Sequence, residues 1–422
     1  MPFDKLRINY GAWCVFFNIP NHGKYNSPLT FNQTPLENMF NSDTIKKFDP
    51  LPTPFYYYDL ELLHQTLQTA KAASQRYGYK IHYALKANVN DRLLNIIRDY
   101  GFGADCVSGN EIKKALEIGF PADEIVFAGV GKSDLEIEYA LESNIHSFNC
   151  ESQQELEVVN ELAEKRGKTA AIALRINPDL DAKTHHYITT GKEENKFGIY
   201  VLQLKETLAR LRHLKQLKLI GLHFHIGSQI TDFNVFKNLC LRVNEAQEIL
   251  QKHDVFPGHI NMGGGLGANY QQPDEHAICD FEGYFALIQR YLKPLPNQTV
   301  HFEIGRAFVG QCGTLISRAL FVKSGLRTNF VVLDAGMTEL IRPALYQASH
   351  KIENLTSSRE TEIYDVVGPI CESSDCFGKE ISLPKTQRGD LIAIRTAGAY
   401  GQVMTSQYNL REPVPTIYSD SL

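Results

Sequence analysis

The sequence has 422 residues, of which 43% are hydrophobic and 22% are charged, a composition typical of a globular protein with at least one large core. The net charge of −5 is spread along the chain, and the lack of a basic run argues against nucleic acid as a partner. No apolar run approaches the roughly 20 residues that span a bilayer, which argues against a membrane partner. The eight cysteines lack regular spacing, so we expect reduced thiols in a cytoplasmic protein rather than a disulfide framework.

The first 50 residues contain many Asn and Pro residues and little apolar periodicity. We therefore predict that residues 1–50 are an extension of low order. A short apolar run at Gly11–Phe17 follows Lys5 and Arg7, which leaves a secretory signal as an alternative. Asp4 in the charged segment and the lack of a clear cleavage site argue against that alternative.

From about residue 80, short apolar runs alternate with amphipathic stretches, a pattern that predicts a parallel sheet with crossover helices. Eight such units indicate a (β/α)8 TIM-type barrel over residues 59–306. An open doubly wound sheet is the alternative, although it usually has fewer strands. The predicted strands are Ile81–Leu85, Gly103–Cys106, Ile125–Ala128, Ile145–Phe148, Ala170–Ile176, Leu219–Phe224, His259–Met262 and Thr299–Phe302.

After Arg306 the pattern changes to strands punctuated by Gly and Pro, which predicts a C-terminal β-rich domain over residues 307–422. The aromatic segment at residues 51–58 precedes the barrel units, and we expect it to form a strand that joins this later domain. The predicted strands of the domain are Val309–Lys323, Phe330–Leu333, Glu362–Val367 and Leu391–Ala397.

Polar residues collect at the ends of the barrel strands. Barrel enzymes place their active sites at the carboxyl ends of the strands, where the following loops converge on one rim. The residues in question are Lys86, Asp105, Ser108, Arg175, His225, Ser228, Gly263, Gly264, Gly265, Glu303 and Arg306. This rim is therefore the predicted site.

Lys86 closes an apolar strand, where a buried lysine is costly unless it is paired or chemically used. A covalent link to a carbonyl cofactor is one reading, and a lysine whose ammonium reaches water is the other. The loop Gly263–Gly265 offers backbone N–H groups that can cradle a phosphate, although an ordinary tight turn explains it as well. Glu303 and Arg306 have two possible interpretations. The carboxylate of Glu303 binds a protonated ring nitrogen, or the two side chains form a local salt bridge.

The pair His223 and His225 lies on one face of a predicted strand, a pattern that allows a metal pair. No cysteine or carboxylate set completes such a site, so we predict no metal. We instead interpret His225 as a ring stacked on a flat cofactor and His223 as a satisfied core histidine. In the β-rich domain, small-residue turns present Arg342, Tyr346, Cys371, Glu372 and Tyr400.

Taken together, these motifs resemble the fold-type III pyridoxal phosphate enzymes, and most closely the diaminopimelate decarboxylase family. The resemblance runs from about Thr53 to Arg411. It is carried by the segments Tyr83–Asn88, Asn177–Gly198, Gly221–Gln229, Asn261–Gly267, Asp334–Tyr346, Gly368–Ser373 and Gly398–Tyr400. The family fold is a (β/α)8 barrel followed by a β domain, which agrees with the interpretation from periodicity.

The resemblance implies pyridoxal 5′-phosphate as cofactor and a role for each matching residue. Lys86 carries the cofactor, and Cys371 is the proton donor. The implied cofactor-binding residues are Lys86, Asp105, His225, Ser228, Gly263, Gly264, Gly265, Glu303, Gly305, Arg306 and Tyr400. The implied substrate-binding residues are Arg306, Arg342, Tyr346, Glu372 and Tyr400. Cys371 and Glu372 enter from the partner subunit of a homodimer with shared active sites.

The implied activity is the decarboxylation of meso-2,6-diaminopimelate to L-lysine and carbon dioxide, the last step of lysine biosynthesis. The alternatives are a related decarboxylase acting on carboxynorspermidine, ornithine or arginine, and a non-catalytic homologue with a regulatory role. The family usually has proline at the position of Ile304, so we expect a small shift in the geometry of that loop.

Overall fold

The computed structural model describes residues 39–180 and 196–422. Residues 1–38, which include most of the predicted extension, and most of the motif Asn177–Gly198 lie outside the described residues. Helix α1 (Ser42–Phe48), which is capped by the Asn41 side chain, precedes strand β1 (Phe55–Tyr58). Phe48 is fully buried and packs edge-on against Phe55.

Eight parallel strands close into a barrel, which confirms the predicted fold class and excludes the open sheet. The first and last barrel strands, β2 and β10, pair with each other, so that Glu303 lies beside His82, and β5 pairs with β6, which leaves the ring without a free edge. A two-residue strand, β7, extends the sheet beside β6. The strands are β2 (Lys80–Ala84), β3 (Gly103–Cys106), β4 (Ile125–Phe127), β5 (Ser147–Cys150), β6 (Ala170–Asn177), β7 (Ile199–Tyr200), β8 (Leu217–His223), β9 (His259–Asn261) and β10 (Thr299–Ile304).

Amphipathic helices cover the outside of the barrel. In α3, Leu93, Leu94 and Ile97 face the barrel at helical spacing and are fully buried, while Asn90 caps the first turn. The helices are α2 (Leu60–Arg76), α3 (Asp91–Asp99), α4 (Gly109–Ile118), α5 (Asp134–Ser143), α6 (Gln153–Lys165), α7 (Leu204–Leu211), α8 (Phe233–Gln251) and α9 (Phe281–Tyr291). Among the helices of the described residues, none is both long and apolar enough to cross a membrane.

Four histidine rings contact one another near the amino-terminal ends of the barrel strands. His259 stacks on His301 with 4.8 Å between ring centroids, and His301 stacks on His82 at 5.2 Å. His146 completes the group, 5.3 Å from His259. Burial, followed by the charges of the neighbouring histidines, lowers the pKa of His259 to about 3. These imidazole rings are therefore neutral in the folded protein.

A second sheet forms the C-terminal β-rich domain. Strand β1 joins it, because Phe55–Tyr58 pairs antiparallel with β11 and Tyr56–Tyr58 pairs parallel with β17. The elements are α10 (Arg306–Val309), β11 (Gly313–Ser324), β12 (Asn329–Leu333), α11 (Arg342–Tyr346), β13 (Ile352–Asn354), β14 (Thr361–Val367), β15 (Cys376–Pro384), β16 (Leu391–Ile394) and β17 (Thr416–Tyr418).

The strand predicted at Val309–Lys323 begins too early, because residues 306–309 form the short helix α10 instead. The Gly310 N–H donates to the Arg306 carbonyl, a local hydrogen bond that the apolar composition of the segment does not reveal. The predicted strand Leu391–Ala397 ends three residues too late, since Thr396 adopts a positive φ of 56°. The predicted domain limits at residues 50, 58 and 306 stay predictions.

Candidate active site

Lys86 lies in a short 3-10 turn directly after β2, at the carboxyl end of the barrel. Its Nζ donates to Asp105 Oδ2 of the neighbouring strand β3 at 2.9 Å, and the Asp105 side chain is fully buried. Burial lowers the pKa of Lys86, but the negative charge of Asp105, together with Tyr400 and Glu303, outweighs it and raises that pKa. Lys86 is therefore a charged group held at the edge of a cavity by one carboxylate.

Glu303 lies near the end of β10 and is surrounded by donors. Asn149 and Asn261 donate to its Oε1 at 3.1 and 2.8 Å, and His223 Nε2 lies 3.0 Å from its Oε2. Burial alone raises the pKa of Glu303, but the hydrogen bond and charge of His223, followed by the charge of Lys86, lower it well below its usual range. The carboxylate is therefore ionised, and it has one acceptor position beyond the three in use.

Three loops meet beside these two residues. Gly263 has a φ of +68°, and a side chain there would place its Cβ 2.1 Å from the Phe224 carbonyl oxygen. Gly265 has a φ of +109°, and its Cβ would lie 2.8 Å from the Gly227 carbonyl oxygen. Only glycine allows the loop after β9 to lie this close to the loop after β8. The Gly264 N–H donates to His225 Nδ1 at 3.2 Å, which orients the imidazole ring.

Arg306 and Arg342 are both buried, with 6% and 5% of their surface exposed. Arg306 donates through Nη2 to Ser228 Oγ at 3.1 Å and through Nη1 to the Tyr270 hydroxyl. The Arg342 guanidinium lies 4.8 Å from the centre of the same Tyr270 ring. Within residues 39–180 and 196–422, neither arginine forms an ion pair with an acid. Two buried cations thus share one aromatic ring and lack an anionic partner in the described part of the chain.

Tyr400 comes from the β-rich domain and reaches the barrel rim. Its N–H donates to the Ala87 carbonyl at 2.8 Å, and Asn88 Nδ2 donates to the Gly398 carbonyl at the same distance. The Arg306 guanidinium lies 4.8 Å from the Tyr400 ring centre. Tyr400 adopts a φ of +55°, a conformation unfavourable for residues other than glycine, so the surrounding contacts hold the ring in place.

A cavity of about 890 Å³ opens beside Lys86 and is large enough for a cofactor and a small substrate. A smaller cavity of about 30 Å³ adjoins it and is lined by Glu303, Gly265 and Gly305 as well. The predicted site residues that line the large cavity are Lys86, His225, Ser228, Arg306, Arg342, Tyr346 and Tyr400. The structure thus brings these predicted residues together from both parts of the fold.

Two predicted site residues lie elsewhere on the same chain. Cys371 and Glu372 are exposed and line neither cavity. The Cys371 N–H donates to Asn409 Oδ1 at 3.4 Å, and the Tyr408 hydroxyl donates to Glu372 Oε1 at 2.9 Å. These two side chains therefore do not contribute to the site of their own chain.

The contacts also bear on interpretations of individual residues that the sequence left open. Glu303 and Arg306 do not pair with each other, because each has other partners. His223 Nε2 contacts Glu303, and among the described residues no group of three His, Cys, Asp or Glu side chains is placed to hold a metal ion. Arg175 pairs with buried Glu151 at 2.8 Å. Ile304 is buried at the end of β10, opposite Tyr83.

The residues that hold Glu303 and the two arginines in place were not predicted from the sequence. Asn149 and Asn261 hold Glu303, and Tyr270 and His350 hold the arginines. Asn149 and Asn261 lie on strands that are otherwise apolar, and a polar residue inside such a strand is a signal that could have identified them. Tyr270 and His350 lie outside the strands and helices, where periodicity gives no signal.

The described residues fit pyridoxal phosphate by their donor set. Lys86 offers an amine beside the cavity, Glu303 offers a spare acceptor position for a protonated ring nitrogen, and Gly265 and Gly305 line the smaller cavity, where a phosphate would need backbone donors. The closed barrel and this arrangement define the class of pyridoxal phosphate-dependent enzymes. The family described as pyridoxal-dependent decarboxylase, pyridoxal binding domain, matches residues 62–310.

Within that class the chain belongs to the diaminopimelate decarboxylase family. It is 56% identical to diaminopimelate decarboxylase from Bacteroides thetaiotaomicron over 90% of this chain and 98% of that protein. It superposes with a TM-score of 0.83 on diaminopimelate decarboxylase from Helicobacter pylori complexed with L-lysine, at 39% identity over 89% of this chain and 93% of that chain. An arginine decarboxylase from Paramecium bursaria Chlorella virus, at 22% identity and a TM-score of 0.79, shares the fold. The resemblance noted in the sequence is thereby confirmed.

Proposed function

We propose that this protein decarboxylates meso-2,6-diaminopimelate at its D-centre, releasing carbon dioxide and L-lysine, as the last step of lysine biosynthesis. The observation that carries the proposal is the pair Arg306 and Arg342, buried at the cavity without an acidic partner among the described residues. An unpaired buried cation is costly, so such a pair indicates a site built for an anionic group. The carboxylate at the far end of diaminopimelate supplies that group.

The alternative substrates fit these arginines poorly. Ornithine, arginine and carboxynorspermidine each lose the carboxylate that reacts, and none has a second carboxylate for Arg306 and Arg342. A site that desolvates charged donors strongly rejects analogues that leave those donors unpaired. The arginine decarboxylase that shares the fold is too distant in sequence to support that activity here.

Pyridoxal phosphate, when bound, supplies an electron sink for the bond that breaks. Lys86 is the residue that would carry it, and Asp105, 2.9 Å away, holds the Nζ atom. Glu303 is ionised and would hold a proton on the ring nitrogen, and His225 would stack on the ring. Ser228, Gly263–Gly265 and the turn at Gly305 would bind the phosphate. Tyr346 and Tyr400 line the substrate's part of the cavity.

A homodimer with shared sites completes this arrangement. Cys371 and Glu372 are exposed on their own chain and do not reach its cavity. We propose that Cys371 of the partner subunit returns a proton to the substrate carbon after carbon dioxide leaves. Glu372 of the partner subunit binds the distal ammonium group of the substrate. We also place the enzyme in the cytoplasm, in keeping with the seven free cysteines of the described residues.

The decisive experiment supplies meso-diaminopimelate to the cofactor-loaded protein and measures L-lysine and carbon dioxide. Parallel reactions contain L-ornithine, L-arginine or carboxynorspermidine at the same concentration. L-Lysine formed only from meso-diaminopimelate supports the proposal. Turnover of ornithine or arginine at an equal rate contradicts the substrate assignment. The non-catalytic alternative predicts no turnover of any substrate, even with the cofactor attached to Lys86.

A further inference from the structure

His350 lies behind the arginine pair and is buried, with 5% of its surface exposed. Its Nε2 lies 3.0 Å from Arg342 Nη1, and its Nδ1 lies 2.8 Å from the Arg395 carbonyl oxygen. The ring also packs edge-on against Tyr270, with 5.0 Å between centroids and an interplanar angle of 89°. One imidazole therefore contacts both the cation and the aromatic ring on which that cation lies.

These two hydrogen bonds determine the tautomer of His350. A carbonyl oxygen can only accept, so Nδ1 must carry the proton that is donated to Arg395. A guanidinium can only donate, so Nε2 must be the bare nitrogen that accepts from Arg342. Burial, followed by the charge of Arg342, lowers the pKa of His350 to about 3, which agrees with a neutral ring. His350 is thus a neutral acceptor for a buried cation.

A neutral acceptor leaves the charge of Arg342 available to a ligand, whereas an acidic acceptor would neutralise it. An aspartate or glutamate at this place would hold Arg342, but it would also neutralise the charge that a ligand carboxylate needs. An imidazole nitrogen restrains the long side chain and leaves its full charge available at the cavity. The restraint matters because Arg306 lies nearby on the same Tyr270 ring, and the two like charges repel each other.

Arg395, whose carbonyl oxygen is the partner of His350 Nδ1, is itself held by two acidic side chains. Its guanidinium donates to Asp274 Oδ1 at 2.6 Å and to Glu353 Oε2 at 2.7 Å, and only 1% of its side chain is exposed. Asp274 belongs to the barrel part of the chain, whereas Glu353 lies on β13 of the β-rich sheet. The carbonyl that orients His350 therefore comes from a residue that links both parts of the fold.

From these contacts we infer that His350 is a positioning residue that determines specificity: it holds Arg342 as an unneutralised cation against the distal carboxylate of the substrate. The inference rests on the proposed function, because it takes the distal carboxylate as the ligand of Arg342. It assigns His350 no contact with the cofactor or the reacting atoms.

The test variant removes the acceptor nitrogen of His350 and keeps an aromatic ring in its place. His350→Phe preserves the edge-on packing against Tyr270 but removes both nitrogens, whereas His350→Gln restores an acceptor near the place of Nε2. We expect His350→Phe to raise KM for meso-diaminopimelate by about tenfold to a hundredfold, with kcat and the cofactor absorbance within about twofold of wild type. His350→Gln should recover most of the KM. His259→Gln, an equally buried histidine outside the cavity, serves as the matched control and should leave KM unchanged.

Two inhibitors separate positioning from general damage. L-Lysine keeps the distal carboxylate, whereas 1,5-diaminopentane lacks it. His350→Phe should weaken inhibition by L-lysine in parallel with KM and leave inhibition by 1,5-diaminopentane unchanged. If His350→Phe does not fold, His350→Asn, whose amide stops short of Arg342, takes its place with the same expected result.

An unchanged KM, an equal loss against both inhibitors, or a loss of kcat and cofactor absorbance that Gln does not restore would each overturn the inference. Wild-type protein that makes no L-lysine from meso-diaminopimelate contradicts the proposed function instead. A failure of that kind is recognised before any variant is made.

Discussion

Replacing Arg342 by methionine tests the substrate assignment most directly. Arg342 is buried, stacks on Tyr270 and donates to His350 at 3.0 Å, but it has no acidic partner among the described residues. Methionine fills a similar volume without charge. The substitution therefore removes one of the two cations that we assign to the distal carboxylate and leaves Arg306 in place.

The expected loss follows from the hydrogen bonds that the substrate would no longer make. A hydrogen bond to a charged group contributes about 1.5–3 kcal/mol, and a guanidinium can make two to one carboxylate. Because Arg306 still attracts the carboxylate, we expect kcat/KM to fall by roughly tenfold to a thousandfold, or about 1.4–4 kcal/mol. The cofactor absorbance should remain, since we assign Arg342 no contact with the ring.

The thermal stability of the Arg342→Met variant should change far less than its activity. Burial, together with the charge of Arg306, lowers the pKa of Arg342, which shows that its surroundings disfavour the cation. Loss of that charge offsets the loss of the hydrogen bond to His350. We therefore expect the thermal midpoint to stay within about 5 °C of wild type.

The assay measures L-lysine formation over a range of meso-diaminopimelate concentrations, with thermal unfolding recorded on the same preparations. Arg290→Met, an exposed arginine on α9, is the matched control. Kinetics of Arg342→Met that equal those of wild type would refute the reasoning. So would a collapse in stability large enough to explain the loss of activity by itself.

Three further predictions concern other parts of the molecule. Lys86→Ala should abolish the absorbance of the lysine-bound cofactor and reduce turnover to background, and normal turnover in that variant would rule out Lys86 as the attachment site. Under the proposed homodimer with shared sites, mixing inactive Lys86→Ala with inactive Cys371→Ala should restore part of the activity, because a mixed dimer would have one intact site. No recovery after demonstrated subunit exchange would contradict shared sites. His259 has a folded pKa of about 3 against 6.5 in the unfolded chain, so the unfolded state binds a proton first as the pH falls. The free energy of unfolding should therefore decline between pH 6.5 and 3 by up to about 1.4 kcal/mol per pH unit for this residue, and chemical denaturation of His259→Asn should show a shallower decline.

The barrel could be predicted because its strands are continuous apolar runs separated by helices of regular amphipathic period. All eight predicted runs overlap barrel strands, with small errors at the ends, as at Ser147–Cys150, where the predicted run began two residues early. The β-rich domain was predicted less completely. Strand Cys376–Pro384 was missed because it carries Lys379 and Glu380 on exposed positions and shows little apolar alternation.

The rim of the site could also be anticipated, since the carboxyl ends of parallel strands meet on one side of a barrel. Lys86, His225, Ser228 and Arg306 come together at the cavity for that reason. Their supports could not be anticipated in the same way. His350 acts only through Arg342, and the pairing depends on how a loop of the β-rich domain packs against the barrel, which local sequence does not encode.

The strand Phe55–Tyr58 has consequences for how the protein is made. It precedes the barrel in the chain, yet its sheet partners are β11 and β17, which are synthesised after the barrel. Tyr56 and Tyr58 are fully buried in the folded protein, so a nascent chain leaves these two aromatic side chains without their sheet partners until both partner strands leave the ribosome. The barrel can begin to fold from local βα units during synthesis, whereas this sheet depends on pairings between distant segments. A chain truncated before Thr416 therefore keeps β11 but lacks β17, which leaves one edge of its first strand unpaired and exposed to aggregation even though every barrel strand is present.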